Sequence, residues 1–378
     1  MACPGTFSDE PLTPAGRLFL QSQTNIIIHC ILRGKNPIDI DAVKSTLRSS
    51  LMVRHPRFCS LLVRDKNGFE HWRKAQVDID QHVIVIDKRL DKSDNFLDES
   101  RRFSSEEGEG DDDDEAAVNQ YVADLSVSSP LSTDKPLWEI HILVPHKCAV
   151  FRIHHALGDG ISLMSMLMAS CRRADDADAL PRMVPEKSAE FKDGKGRDWF
   201  WLFGILKTVI SGGEGVELWP RKLATARFLL EDMRVVKKAI PNTTINDVLF
   251  GVVSSGLSRY LDHRTPNALH EGLRMTGVAM VNLRPQTGFQ DLSQLMKGAA
   301  EARWGNKFGL ILLPVYFKKA GNNPLEYVKR AKRMVDRKKH SLEAYFSYRI
   351  GDLVMSLLGS KYACLLNYRL LCNTTFTI

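Results

Sequence analysis

Apolar positions along the first 170 residues alternate between two periods. The stretch Thr24 to Leu32 is apolar enough for a strand. Val43, Leu47 and Leu51 then recur every four residues behind Asp39 and Asp41, which predicts a helix with acidic residues at its favourable end. His55-Pro56 stops it. Strands are predicted at Cys59–Val63 and Phe69–Lys74, the second after the turn signal Asn67-Gly68. A helix is expected from about Ala116 to Val127. Strands follow from Pro136-Leu137-Trp138 to Val144 and over Cys148–Ile153, then a helix over Ile161–Cys171.

The second half repeats this mixture. A helix led by Asn242 to Asp247 carries Val248, Val252 and Leu257; strands are expected near Gly277–Asn282 and Phe308–Phe317; a basic helix runs from Pro324 to about Lys339. Ile40-Asp41-Ala42-Val43 and Ile245-Asn246-Asp247-Val248 each open a helix after a short polar stretch, a faint echo that fits a duplicated unit. Strands and helices mix without regular alternation, so α+β layers are expected rather than a doubly wound sheet.

Two segments break the pattern. Eight of the ten residues from Glu106 to Glu115 are acidic and the other two are glycine, so 104–115 is expected to be a disordered, solvated loop. The polar run 175–198 is expected to link two domains, 1–174 and 221–378, within a connecting region 175–220. Inside that region the twelve residues Trp199–Ile210 are almost wholly apolar. A spanning helix needs about 20, so the segment is expected to be a buried helix or an interfacial anchor.

Composition narrows the picture further. The 378 residues are 44% hydrophobic and 26% charged, a globular balance, with a net charge of +7 that suits an anionic ligand or membrane surface without requiring nucleic acid. None of the seven cysteines forms a CxxC pair, so no zinc site is expected, and their scatter suits reduced thiols facing the cytosol. The first twenty residues hold no apolar core of a signal peptide.

The chemically informative stretch is Val150-Phe151-Arg152-Ile153-His154-His155-Ala156-Leu157-Gly158-Asp159-Gly160. A strand ends in two histidines, and a loop with two glycines leads into a helix. Adjacent strand residues point to opposite faces, so the two imidazoles cannot share one metal. One of them is suited to take a proton from a hydroxyl near neutral pH. A serine hydrolase would need a GxSxG elbow, which is absent.

His154-His155-Ala156-Leu157-Gly158-Asp159-Gly160 resembles the HHxxxDG signature of coenzyme A-dependent acyltransferases. Pro136-Leu137-Trp138, Asn246-Asp247-Val248-Leu249, Val281-Asn282-Leu283-Arg284-Pro285 and Trp304-Gly305-Asn306-Lys307-Phe308-Gly309 resemble, in order and spacing, blocks of the plant wax ester synthase/diacylglycerol acyltransferase family. The DFGWG block of neighbouring plant acyltransferases is absent.

The resemblance implies two pseudo-repeated chloramphenicol-acetyltransferase-like domains with a tunnel between them, and an O-acyltransferase moving a fatty acyl group from acyl-CoA to a fatty alcohol or diacylglycerol. It implies His155 as general base, with His154, Asp159 and Gly160 shaping the loop and an arginine, Arg284 or Arg54, anchoring Asp159. Asn246 is a candidate oxyanion donor or a helix N-cap, and Trp138 lines or underlies the site. The basic helix suits CoA phosphates, anionic lipid or plain solvent. Acyl-CoA is a co-substrate; no metal and no further cofactor is expected. The expected location is the cytosolic face of the endoplasmic reticulum membrane, with the cell membrane second. Relatives continue past the position of Ile378, so an incomplete second domain is expected, and with it the alternative of an impaired acyl-lipid binder or a partner of a longer copy.

Overall fold

The computed structural model describes residues 9–90, 109–173, 175–176, 208–211, 215, 219–266, 269–284, 304–319 and 323–378. The expected linker 177–198 and the apolar residues 199–207 lie outside them. The chain divides into two compact units. The first is drawn from Met1–Val184, Glu217–Thr225 and Gly288–Asn306, the second from Pro185–Val216, Ala226–Thr287 and Lys307–Ile378.

In the first unit the elements run β1 (Glu10–Pro11), α1 (Pro14–Leu18), β2 (Ile27–Arg33), α2 (Ile40–Ser49), β3 (Ser60–Arg64), β4 (Glu70–Lys74), α3 (Ile79–His82), β5 (Val83–Ile86), α4 (Glu109–Ser128), β6 (Trp138–Leu143), β7 (Cys148–His154) and α5 (Gly160–Ser170). One sheet has the order β2-β7-β6-β5 and a smaller one β1-β4-β3. Every residue of β6 is buried, as befits an inner strand. Its neighbour β7 buries alternate residues: Cys148, Val150, Arg152 and His154. Helix α4 covers the sheet by packing Val118 and Val122 on Leu143, Cys148 and Val150.

Helix α4 corrects the expectation of a disordered loop over 104–115: residues from Glu109 onward are helical. Carboxylates in the first turns of a helix are stabilised by its positive end. Asp114 also has partners: its carboxylate lies 2.6 Å from His146 Nδ1, with Arg33 and Arg89 nearby. Composition shows the charge of such a run but not the cations that receive it.

A row of polar side chains crosses the sheet beneath α4. His29 of β2 pairs with Arg152 of β7, which pairs with Glu139 of β6. Arg152 is 1% exposed and donates to Glu139 and to the carbonyl of Ser129. His141 lies 3.0 Å from Glu139 and 2.6 Å from the Tyr121 hydroxyl. Burial pushes the Glu139 carboxyl up, but His141, Arg152 and Lys135 outweigh it and hold it at about 2.

The second unit contains α6 (Leu230–Lys238), α7 (Ile245–Arg264), β8 (Arg274–Asn282), β9 (Phe308–Tyr316), α8 (Leu325–Lys339), α9 (Glu343–Cys372) and β10 (Phe376–Thr377). Its sheet has the order β10-β8-β9, with β10 parallel to β8 and β9 antiparallel. The core joins Phe250 and Leu261 of α7, Met275 of β8, Leu313 and Val315 of β9, and Ala331 and Met334 of α8. Helix α9 bends at Gly359, whose φ of 80° is one that glycine adopts without steric cost. Among the described residues no helix is long and apolar enough to cross a membrane.

Candidate active site

Strand β7 delivers the two histidines, and β2 fixes where it ends: Ile27 of β2 is in register with His154. The His154 ring is only 4% exposed and both its nitrogens are engaged. Nδ1 accepts from the Ala156 N–H at 3.1 Å, and Nε2 lies 2.8 Å from Asn25 Oδ1. An accepting Nδ1 puts the proton on Nε2. Burial first, and then the neighbouring His155, hold the pKa of His154 at about 4, so it stays neutral. Its ring ties the loop to the chain before β2.

The backbone N–H of His155 donates to the Ile26 carbonyl at 2.9 Å. Its ring stacks on Phe19, just past α1, with centroids 3.9 Å apart and planes 15° from parallel. The residue is 8% exposed. Burial lowers its pKa from the usual value; interactions with its own backbone carbonyl and the Asn306 side chain, and then the Asp159 charge, act the other way. The result is an imidazole biased toward the neutral form, with a fixed ring plane.

Asp159 is the N-cap of α5, its carboxylate accepting from the Ser162 N–H at 3.0 Å. Gly160 is the first residue of that helix, and a Cβ there would meet no atom within 4 Å. Gly158 is different. A Cβ on it would lie 3.2 Å from Ser162 Cβ and 3.5 Å from the Trp304 ring. The tight neighbour is Ser162, while the Trp304 indole closes over the loop at ordinary contact distance.

That indole belongs to a stretch of the first unit far away in sequence. Trp304 Nε1 donates to the Leu157 carbonyl at 2.7 Å. Asn306 Nδ2 donates to the His155 carbonyl at 2.9 Å. Ser162 Oγ donates to the Gly305 carbonyl at 3.3 Å. Three hydrogen bonds thus fasten residues 304–306 along the loop from His155 to α5. Trp304 also packs on His55, ring centroids 4.1 Å apart, and burial, then Arg57, hold His55 at about 4.

The remaining candidates separate. Trp138 is wholly buried; its indole N–H donates to the Phe58 carbonyl at 2.9 Å and its ring stacks on His82 at 3.9 Å. It underlies the site as packing. Asn246 lies in the second unit, exposed, one residue inside α7, where the N-cap is Thr244 and not Asn246. The threonine hydroxyl and the buried Asp247 carboxylate form a reciprocal capping box, which explains the aspartate of that block. Arg54 is exposed at the end of a short 3-10 turn in the first unit, and Arg284 lies in the second. On α8, Arg330 and Arg333 meet Glu326, and Lys332 meets Asp336.

The sequence reading gave no role to Phe19, Asn25, Trp304 or Asn306. For the last two a signal existed, a Trp-Gly-Asn set just before a strand, but nothing local says what it holds. Among the described residues no group of three His, Cys, Asp or Glu could hold a metal. Chemically, the arrangement is an imidazole biased to its neutral form at the end of a strand, beside a glycine-flanked loop and a helix start, with its backbone tied at N–H and carbonyl.

Two family models match the chain: the wax ester synthase/diacylglycerol acyltransferase catalytic domain over residues 114–218, and the WS/DGAT C-terminal domain over 304–378. The first contains the histidine loop, and the second opens on Trp304. Among curated proteins, Wax ester synthase/diacylglycerol acyltransferase 11 of Arabidopsis thaliana is 32% identical over 98% of this chain and 80% of its own length. Wax ester synthase/diacylglycerol acyltransferase 2 of the same plant is also 32% identical, with the same coverage. Among solved structures, a wax ester synthase/diacylglycerol acyltransferase from Marinobacter aquaeolei VT8 aligns with a TM-score of 0.51 at 15% identity, over 95% of this chain and 79% of that one. The first condensation domain of the calcium-dependent antibiotic synthetase aligns with a TM-score of 0.50 at 16% identity, over 87% and 74%. At these identities the two structures speak for the fold.

Proposed function

The chain belongs to the wax ester synthase/diacylglycerol acyltransferase family, and from that premise we propose that it transfers a fatty acyl group from acyl-CoA to the hydroxyl of a fatty alcohol or a diacylglycerol, with His155 as general base. The observation that carries the assignment is the state of His155: buried, biased to the neutral form, ring stacked on Phe19, backbone tied at both ends. His154, with both nitrogens committed, is the scaffold.

The proton balance closes on one residue. His155 takes the hydroxyl proton as the alcohol oxygen attacks the thioester carbonyl. The tetrahedral intermediate collapses, the C–S bond breaks, and the imidazolium returns its proton to the CoA thiolate. Ester and free CoA are the products. General bases of this kind contribute a factor of about 100–10,000. Neither a metal nor a covalent acyl-enzyme enters this balance.

Both acceptor classes are nearly insoluble, so work at a membrane surface follows, on this reading the cytosolic face of the endoplasmic reticulum. Helix α9 supports the surface contact. Leu353, Leu357, Leu358, Tyr362, Leu365 and Leu366 are exposed, and Arg349, Lys361 and Arg369 are exposed along the same helix. Apolar groups flanked by cations suit an interface with anionic headgroups.

The test is direct. Purified protein receives palmitoyl-CoA with equal amounts of hexadecanol and dioleoylglycerol in mixed micelles, and lipids are separated after reaction. Wax ester or triacylglycerol should form in step with free CoA. Free CoA without any new ester would refute acyl transfer to these acceptors.

A further inference from the structure

The loop that carries His155 is held by a residue 151 positions away. Asn306 sits just before β9, and its amide faces the reacting histidine with both ends. Nδ2 donates to the His155 carbonyl at 2.9 Å. Oδ1 is buried without a hydrogen-bond partner among the described residues. A buried acceptor left unmade costs about 1–3 kcal/mol, so one that is kept calls for an explanation, a catalytic role among them. Here the neighbouring group is an imidazole that becomes a second N–H donor each time it takes a proton.

We propose that Asn306 is a positioning residue for the acyl transfer: Nδ2 fixes the backbone of His155, and Oδ1 receives the ring when His155 is protonated. The inference rests on the general-base reading of His155 and deepens it. The geometry gives each end of the amide a distinct task. The His155 N–H is held by the Ile26 carbonyl and its ring by Phe19, and on its carbonyl side the peptide is held by the Ala156 N–H bond to His154 and by the Asn306 amide. The ring nitrogen that already carries a proton can donate to Oδ1, and that contact strengthens when the ring becomes charged. It therefore stabilises the state in which the proton has moved more than the resting state, which is what lowers a barrier. The electrostatic balance agrees, since the Asn306 side chain opposes the effect of burial on His155.

Trp304 and Gly305 are the mount. Their bonds to Leu157 and Ser162 bring Asn306 to the same height as the histidine. The groups that face His155 are Phe19 from beyond α1, His154 from β7, Asp159 from the loop, and Asn306. Of the titratable ones, His154 stays neutral down to about pH 4, and Asp159 supplies negative charge.

Two variants test this on the full-length chain. Asn306→Ala removes both contacts. Asn306→Asp keeps the size, replaces the donor with an acceptor and adds a charge. Both should lose about 10–100-fold in kcat, the scale of a slightly misplaced catalytic group, with the KM for palmitoyl-CoA within about twofold. The acid limb of kcat/KM should move to lower pH in Asn306→Ala and to higher pH in Asn306→Asp. His155→Ala is run beside them, and the double variant His155→Ala/Asn306→Ala should be no slower than His155→Ala alone, because the amide acts through the histidine. If His155→Ala is inactive while both Asn306 variants keep wild-type kcat and an unmoved acid limb, the amide is merely structural and this inference fails alone. If His155→Ala keeps wild-type activity, the general-base reading fails. Should Asn306→Ala not fold, the isosteric Asn306→Asp decides on the same criteria.

Discussion

Nε2 of His154 lies 2.8 Å from Oδ1 of Asn25, while the other ring nitrogen accepts from the Ala156 N–H. The first histidine of the pair thus closes the loop onto the segment that leads into β2. Replacing it with alanine leaves the buried Ala156 N–H unpaired, at about 1–3 kcal/mol, while the exposed Asn25 side chain turns to water. His154→Ala is therefore expected to lower the melting temperature by several degrees while keeping measurable acyl transfer per folded molecule. Asn25→Ala should give the smaller thermal loss, because the Ala156 bond survives. Calorimetry and an initial-rate assay on the same preparations check this. An unchanged melting temperature with no residual activity would move His154 into the chemistry.

Trp304 offers a cleaner separation of one bond from packing. Trp304→Phe keeps an aromatic ring over Gly158 and beside His55 but loses the donor to the Leu157 carbonyl. A loss of about 1–3 kcal/mol is expected from the unpaired carbonyl. Trp304 is half-buried, so Trp304→Ala should cost more than Trp304→Phe but less than the range of about 3–5 kcal/mol for an aromatic residue cut to alanine in a core. Urea denaturation of both variants measures the two costs. Equal stability of Trp304→Phe and wild type would show that the Nε1 bond contributes nothing.

Asp159 has two separable roles. Asparagine is as good an N-cap as aspartate, so Asp159→Asn should leave α5 capped, whereas Asp159→Ala should lose about 1 kcal/mol of stability. Both remove a carboxylate that favours the protonated His155. With that charge gone the His155 pKa falls, the neutral base persists to lower pH, and the acid limb of kcat/KM moves down in both variants. A limb that stays in place in Asp159→Asn would remove Asp159 from the electrostatics of the site.

Acid should destabilise the fold well before its carboxylates titrate. His29, His55 and His154 are each held at about 4, chiefly by burial, against about 6.5 in an unfolded chain. Between these values the unfolded chain binds the protons and the folded one does not. Stability is then fully present above about pH 6.5 and is lost as pH falls toward 4. Glu139, held at about 2, adds a second loss below about pH 4.5. Urea midpoints at pH 7.5, 5.5 and 4.5 should fall in that order. A flat profile from 7.5 to 5.5 would mean that the three histidines are not buried neutral in solution.

Much of this site was written in one short stretch. Strand periodicity before His154, two glycines, and helix periodicity after Gly160 are local signals, and local signals survive in a sequence read alone. The contacts that make the stretch a site are not local. Trp304 and Asn306 meet the loop across 147 and 151 residues, and no pattern near either end encodes the meeting. The start of α4 inside the acidic run was missed for a similar reason: composition shows the repulsion among the carboxylates, whereas His146, Arg33 and Arg89, which relieve it at Asp114, come from other elements. Of the two roles offered for Asn246, the helix cap falls, because that work is done one residue before the helix, at Thr244, and by Asp247 within it.

The central claim is that His155 is the base, and free CoA release reads it most directly. Wild type and His155→Ala are supplied with palmitoyl-CoA and hexadecanol, and thiol release is followed in the first seconds alongside the melting curve of each protein. The account predicts a loss of at least about 100-fold in His155→Ala with the melting temperature within a few degrees of wild type. A folded His155→Ala that releases CoA and forms ester at the wild-type rate would contradict it.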